Sequence, residues 1–222
     1  MILDNHLRYL QIAFNYDRSM VTRLLPRIPY SERILIEAGT PFVKREGLAG
    51  IRLIRSMWKG LVVADIKVAD GALGEVQMIS QAGANAVTAL GSAPRETLDL
   101  FIATCERLKL ISMLDMIGVE DPLAVLRLLK EPPEVVVLHK GRDEESSRNK
   151  LIQYLHINRI HSKYDVLISA AGGIDAKQAR SAIFNGANIV VANIVHPDDE
   201  WVGIPATKDV AELARSFLAS IE

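Results

Sequence analysis

The chain has 222 residues, 49% of them hydrophobic, enough to bury a sizeable core. Its 26 lysines and arginines against 27 aspartates and glutamates give a net charge of −1, which leaves no electrostatic footprint for nucleic acid or an acidic membrane. Cys105 is the single cysteine, excluding an internal disulfide framework and a multi-cysteine metal site and fitting a reducing compartment.

Short apolar, β-branched runs alternate with stretches of helical periodicity, the pattern of βαβ units around a parallel sheet. Strands are predicted at Leu10–Phe14, Ile34–Glu37, Leu61–Ile66 and Ala86–Leu90. Between them, Ile51, Ile54 and Trp58 share one helical face, and Val76, Ile79 and Gly83 another. Further strands are predicted at Ile111–Ile117, Val135–His139, Val166–Ala170 and Ile189–Val195, with Glu131-Pro132-Pro133-Glu134 stopping a helix before the sixth. Val210, Leu213 and Phe217 mark a last amphipathic helix. The phrases Ala82-Gly83-Ala84-Asn85 and Asn185-Gly186-Ala187-Asn188 repeat a helix end on glycine before a strand. No apolar run approaches the roughly 20 residues that span a bilayer, and Met1 to His6 lacks the layout of a secretory signal, so a cytoplasmic protein without membrane or nucleic-acid partner is expected.

Eight βα units over this length predict an α/β fold, a single (β/α)₈ TIM barrel over residues 1–222, with an open doubly wound sheet as the alternative. Barrel chemistry gathers at the C-terminal strand ends and the loops after them. Polar residues fall there in every unit: Asn15, Glu37, Asp65 with Lys67, Gly91-Ser92, Asp115, His139, Gly172-Gly173 and Asn193.

The third run, Val62-Val63-Ala64-Asp65-Ile66-Lys67-Val68-Ala69-Asp70, drives two charges onto one face of an apolar strand and adds a third beyond it. Glu37 and Asp65 come from adjacent strand ends, so two carboxylates can converge on a hard cation such as Mg²⁺; the competing reading pairs Glu37 with Lys67 alone. Lys67, flanked by Asp65 and Asp70, is expected to stay protonated and to donate a proton or steady an oxyanion rather than form a Schiff base. His139 ends a strand in the run Val137-Leu138-His139-Lys140-Gly141-Arg142-Asp143 and can serve as acid or base, or as a structural histidine. His6, His156, His161 and His196 are read as surface or loop residues, and Cys105 as a small apolar helix residue. Gly172-Gly173 frees backbone N–H groups after the seventh strand, where barrels bind phosphate; a ligand-free tight turn reads the same way.

Together these segments resemble the orotidine 5′-phosphate decarboxylase superfamily, whose Asp-x-Lys-x-x-Asp motif is met by Asp65, Lys67 and Asp70. Within it the chain looks most like 3-hexulose-6-phosphate synthase and 3-keto-L-gulonate-6-phosphate decarboxylase, through Leu10-Gln11-Ile12-Ala13, Ile36-Glu37-Ala38-Gly39-Thr40-Pro41, Leu90-Gly91-Ser92-Ala93, Asp115-Met116-Ile117, His139-x-Gly141-x-Asp143 and Ala171-Gly172-Gly173-Ile174. Orotidine decarboxylase itself carries a lysine at the end of strand two, where this chain has Glu37. The resemblance implies an aldol reaction between formaldehyde and ribulose 5-phosphate through a Mg²⁺-bound enediolate. It implies Glu37 and Asp65 as metal ligands and Asp65, Lys67, Asp70 and His139 as the catalytic set. Sugar-phosphate contacts are implied at Asn15, Ser92, Asp115, Arg142, Gly172, Gly173, Ala192 and Asn193. A homodimer follows too, with Asp70 reaching into the partner's site. The chain departs from the pattern at Asn15, where relatives carry Asp, and at Ala192-Asn193, where they carry Gly followed by Arg or Ser. These departures keep open a barrel that binds a phosphate ligand without turnover, and a decarboxylase-like or other enzyme with an altered substrate. Trp201 is read as packed on a helix or on a ligand.

Overall fold

A computed structural model describes residues 3–145, 151–207 and 209–222. Its strands β1 (Tyr9–Phe14), β2 (Ile34–Ala38), β3 (Val62–Val68), β4 (Ala86–Leu90), β5 (Ile111–Asp115), β6 (Val135–His139), β7 (Leu167–Ala171) and β8 (Ile189–Val195) each pair in parallel with the next. β1 also pairs with β8, Gln11 opposite Val191, which closes the sheet and rules out the open doubly wound arrangement. The protein is a (β/α)₈ barrel. Its helices are α1 (Arg18–Leu24), α2 (Thr40–Met57), α3 (Ala72–Gln81), α4 (Arg95–Leu108), α5 (Pro122–Leu126), α6 (Arg142–Glu145), α7 (Leu155–His161), α8 (Ala176–Phe184) and α9 (Val210–Ser220). A two-residue strand, β9 (Ile204–Pro205), extends the pairing from the end of β8. Among the described residues no helix is long and apolar enough to cross a membrane.

Each strand is buried on both faces, and its side chains alternate between two apolar layers. Tyr9 and Ala13 of β1 join Val63, Met113, Val137 and Val191 inside the barrel, whereas Leu10, Ile12 and Phe14 pack outward under the helices. Fully burying a side chain such as Phe14 or Leu10 contributes roughly 1.5–3 kcal/mol, so the outer layer carries much of the stability. Toward the C-terminal mouth the inward positions turn polar, at Glu37, Asp65, Asp115, His139 and Asn193.

Among the described residues, aspartate side chains cap three helices. Asp17 caps α1 through the Met20 N–H at 2.9 Å, Asp121 caps α5 ahead of Pro122, and Asp175 forms a reciprocal capping box with Gln178 on α8. The predicted stripes hold with two shifts. Ile51 and Ile54 lie in α2 but Trp58 caps its end, and Gly83 falls after α3 at φ +89°. β5 ends at Asp115, two residues early, because the Asp115 side chain accepts the Ile117 N–H at 3.0 Å and turns the chain out of the sheet. α5 stops at Leu126, well ahead of Pro132-Pro133.

One irregularity shapes the mouth. Ala64 pairs with Val87 and Val68 with Ala89, so β3 takes four steps while β4 takes two, and Lys67 adopts a left-handed backbone at φ +53°.

Candidate active site

The C-terminal mouth opens into a cavity of about 270 Å³. Nine of the residues singled out in the sequence line it: Asn15, Glu37, Asp65, Lys67, Asp115, His139, Arg142, Gly172 and Asn193. Gln11, Thr40 and Thr88 line it as well and were not anticipated.

At its centre is a chain of charges. Lys67 Nζ donates to Asp65 Oδ1 at 3.0 Å and to Asp115 Oδ2 in a shorter contact. Asp115 in turn holds His139 Nδ1 at 2.8 Å through Oδ2 and 3.0 Å through Oδ1. Burial alone would push the Asp115 carboxyl up, but His139 and Lys67 overcome it and hold it at about 2. Burial favours a neutral Lys67, yet Asp65 and Asp115 outweigh it and raise its pKa, so the lysine is an ammonium. His139 follows the same logic: burial acts downward and Asp115 more than reverses it. With Nδ1 engaged by Asp115, Nε2 is the ring nitrogen left to meet a substrate.

Glu37 is buried beside Asp65. Burial first, and the Asp65 charge second, push its carboxyl up to about 7, against the pull of the Gln11 amide, whose Nε2 donates to Glu37 Oε2 at 2.6 Å. Asp65 is held by hydroxyls on both oxygens, Thr88 at 2.8 Å on Oδ1 and Thr40 at 2.6 Å on Oδ2.

The outer rim comes from the loops after β1, β6, β7 and β8. Asn15 Nδ2 donates to Asn193 Oδ1 at 2.9 Å, so the two departures from the family pattern pair with each other. Tyr16 donates to Asp199 and meets the His196 ring edge-on at 4.5 Å, drawing the segment after β8 across the mouth. The Arg142 guanidinium, at the start of α6, stacks 5.0 Å from the Trp201 ring centre, so Trp201 packs on a rim residue that begins a helix. Gly172 reaches the cavity at φ +109°, where a Cβ would sit 2.0 Å from the Lys140 carbonyl oxygen.

Four predicted residues lie elsewhere. Ala192 faces the helices: side chains alternate along β8, so with Val191 and Asn193 inward its methyl belongs to the outer core. Ser92 is exposed on the loop after β4 and does not line the cavity. Gly173, left-handed at φ +58°, follows Gly172 outside the lining. Asp70 is exposed beyond the end of β3, away from this chain's own cavity. Of the other histidines, His156 is 7% exposed because α7 turns it inward with Ile157 and Ile160, contrary to the surface reading. Cys105 is buried in α4, as expected, and burial pushes its thiol up and out of reactivity.

A closed parallel barrel with lysine, histidine and carboxylates converging at its C-terminal mouth has the architecture on which barrel enzymes build their sites. Residues 8–193 match the model of the orotidine 5′-phosphate decarboxylase / HUMPS family, and the chain belongs to that family. It is 37% identical over 216 residues to the "Bifunctional enzyme Fae/Hps" of Methanothrix thermoacetophila, a match covering 96% of this chain and 53% of that protein. The chain thus spans about half the length of the curated relatives it matches. Among solved structures, 3-hexulose-6-phosphate synthase from Salmonella typhimurium superposes with a TM-score of 0.83 at 28% identity, over 96% of this chain and 98% of the other. The KGPDC of Streptococcus mutans shares the fold at TM-score 0.76 and 21% identity, over 97% of each chain. The matched relatives are named as enzymes.

Proposed function

We propose that the chain is a Mg²⁺-dependent carbon–carbon lyase of the 3-hexulose-6-phosphate synthase type, joining formaldehyde to ribulose 5-phosphate. The observation that carries this reading is the linked set Asp65–Lys67–Asp115–His139 beside Glu37 in one cavity. An aldol addition needs a carbon-bound proton removed, an oxyanion steadied and a proton returned to the new alkoxide. Lys67, kept cationic by two carboxylates, steadies the oxyanion. His139, oriented through Nδ1, exchanges protons at Nε2. Gly172, Arg142 and Asn193 line the rim where the phosphate would sit, Arg142 supplying the positive charge that Asn193 lacks.

Glu37 and Asp65 fit a hard divalent cation, because their repulsion as bare carboxylates is what a cation relieves. Among the described residues no set of three or more His, Cys, Asp or Glu side chains stands ready for a metal, so ligand and water oxygens would complete its shell. When bound, Mg²⁺ supplies Lewis-acid stabilisation of developing negative charge. Asp70 lies outside its own cavity, so the role that the family resemblance gives it in a partner's site stays open, and we include a homodimer in the proposal.

A second reading, a barrel that binds a sugar phosphate without turnover, is favoured by the Asn15–Asn193 pair, which puts a neutral contact where relatives carry an acid. Titration calorimetry with ribulose 5-phosphate, with Mg²⁺ and with EDTA, followed by a formaldehyde-consumption assay, separates the two. Binding with Mg²⁺-dependent formaldehyde consumption is expected. Binding without consumption supports the second reading, and no binding refutes both in favour of a different substrate.

A further inference from the structure

We infer that Thr88 is the positioning residue for the Asp65–Lys67 pair, one buried hydroxyl that holds the widened stretch of β3 and the Asp65 carboxylate together. Its consequence for turnover rests on the lyase reading; its structural part does not.

On a regular parallel ladder each step along one strand is matched on its neighbour. Here residues 65–67 of β3 stand against Thr88 alone, because Ala64 faces Val87 and Val68 faces Ala89. Surplus residues lose their ladder partners, and a buried N–H without an acceptor is costly. The Lys67 N–H finds its acceptor in Thr88 Oγ1 at 2.9 Å. The same hydroxyl donates its proton to Asp65 Oδ1 at 2.8 Å. Accepting from the backbone while donating to a carboxylate requires a hydroxyl; a methyl does neither.

The geometry held in this way is not one the chain adopts unaided. Lys67 and Lys109 are the two non-glycine residues with positive φ among those described, and Lys109 merely ends α4. Lys67 sits at φ +53° one residue before the end of β3, a conformation that persists where surroundings over-determine it. It is from this backbone that Nζ spans Asp65 and Asp115. Thr40, gripping Asp65 Oδ2 at 2.6 Å, fixes the carboxylate from its other side. Thr88 commits its one proton to Asp65 and accepts from the Lys67 backbone, contacts through which it acts on Asp65 and Lys67 rather than on substrate.

Valine copies the shape of threonine without the hydroxyl, and serine keeps the hydroxyl. Thr88→Val and Thr88→Ser are compared with the parent by turnover of ribulose 5-phosphate plus formaldehyde, and by amide hydrogen exchange at Lys67. For Thr88→Val, kcat is expected to fall about 10- to 100-fold with KM moved less than about threefold, the signature of a displaced reacting group. Its Lys67 amide is expected to exchange at least about tenfold faster. Thr88→Ser is expected to restore both to within about threefold of the parent, since it supplies the same donor and acceptor. An unchanged kcat in Thr88→Val overturns the inference, as does a Thr88→Ser loss equally deep in a protein of unchanged circular dichroism. Equal Lys67 protection in all three proteins overturns it too. If the parent shows no turnover, the lyase reading falls, and the exchange measurement alone decides what Thr88 holds.

Discussion

Replacing Glu37 by glutamine should stabilise the protein at pH 8 and leave it nearly unchanged at pH 5. Glu37 is buried beside Asp65, and its carboxyl rises from the ordinary 4.5 to about 7. A raised carboxyl pKa means the folded chain holds this proton more tightly than the unfolded chain. Its contribution is therefore complete below pH 4.5 and lost as pH climbs through about 7. At roughly 1.4 kcal/mol per tenfold in proton affinity, the ionised carboxylate costs the fold about 3 kcal/mol at pH 8, and less than about 1 kcal/mol at pH 5. A glutamine removes that cost while its amide oxygen still accepts from Gln11 Nε2, which lies 2.6 Å from Glu37 Oε2 in the parent. Urea denaturation of parent and Glu37→Gln in EDTA at the two pH values measures the difference directly. Addition of Mg²⁺ at pH 8 should then stabilise the parent more than the variant, since only the parent offers both carboxylates. A stability gain of equal size at pH 5 and pH 8 would refute the assignment of a strained, ionising Glu37.

Asp115→Asn removes the carboxylate that more than offsets burial at His139, so the His139 pKa, read by NMR titration of its ring protons, should fall below the ordinary histidine value under burial and the Lys67 charge. An unmoved titration would show that Asp115 is not the cause. Asn15→Asp should raise synthase activity if that position alone limits it, at the expense of the donor that Asn15 gives Asn193; an equal or lower rate in the formaldehyde assay would mean that the rim has been retuned for another ligand. Gly172→Ala should cost more than about 2 kcal/mol in chemical denaturation, since its Cβ would lie 2.0 Å from the Lys140 carbonyl oxygen on a backbone at φ +109°. It should also weaken ribulose 5-phosphate binding in calorimetry, and a variant as stable as the parent would show that the loop is not held where described.

The strands were legible because a barrel buries both strand faces, so each reads as a continuous apolar run, and a polar residue inside one stands out. That logic found Glu37, Asp65, Asp115 and His139. Applied evenly, it would also have found Gln11, a polar residue in the middle of Leu10–Phe14 whose burial is nearly complete at 3% exposure. Thr88 and Thr40 gave no such signal, since threonine is ordinary both in strands and at helix starts. Ala192 was implied by the family resemblance, where it stands in place of a glycine, rather than by parity, and neighbours on a strand cannot both face the cavity. Pocket membership of Lys67 was right for an incomplete reason. A regular strand puts residues 65 and 67 on one face, whereas here the ladder is broken between them and Lys67 is turned inward by a left-handed residue that no pattern of apolar spacing encodes.

The charges at the mouth explain why so polar a cluster survives in a buried setting. Asp65 and Asp115 are met by Lys67 and, when it is protonated, by His139, so this core of the site is neutral with every member paired. Paired and hydrogen-bonded, the four avoid the several kcal/mol that an isolated buried charge would cost. Glu37 is the fifth group and, among the described residues, has no cationic partner within hydrogen-bonding distance; its bonded neighbour is the neutral Gln11 amide. Ionising it tips the cavity negative, which is why burial and Asp65 together resist that ionisation. Under the proposed reading an anionic sugar phosphate entering such a cavity would add to the same imbalance, and a cation shared with Asp65 would remove it. Under that reading Glu37 makes the site's charge state depend on what it binds.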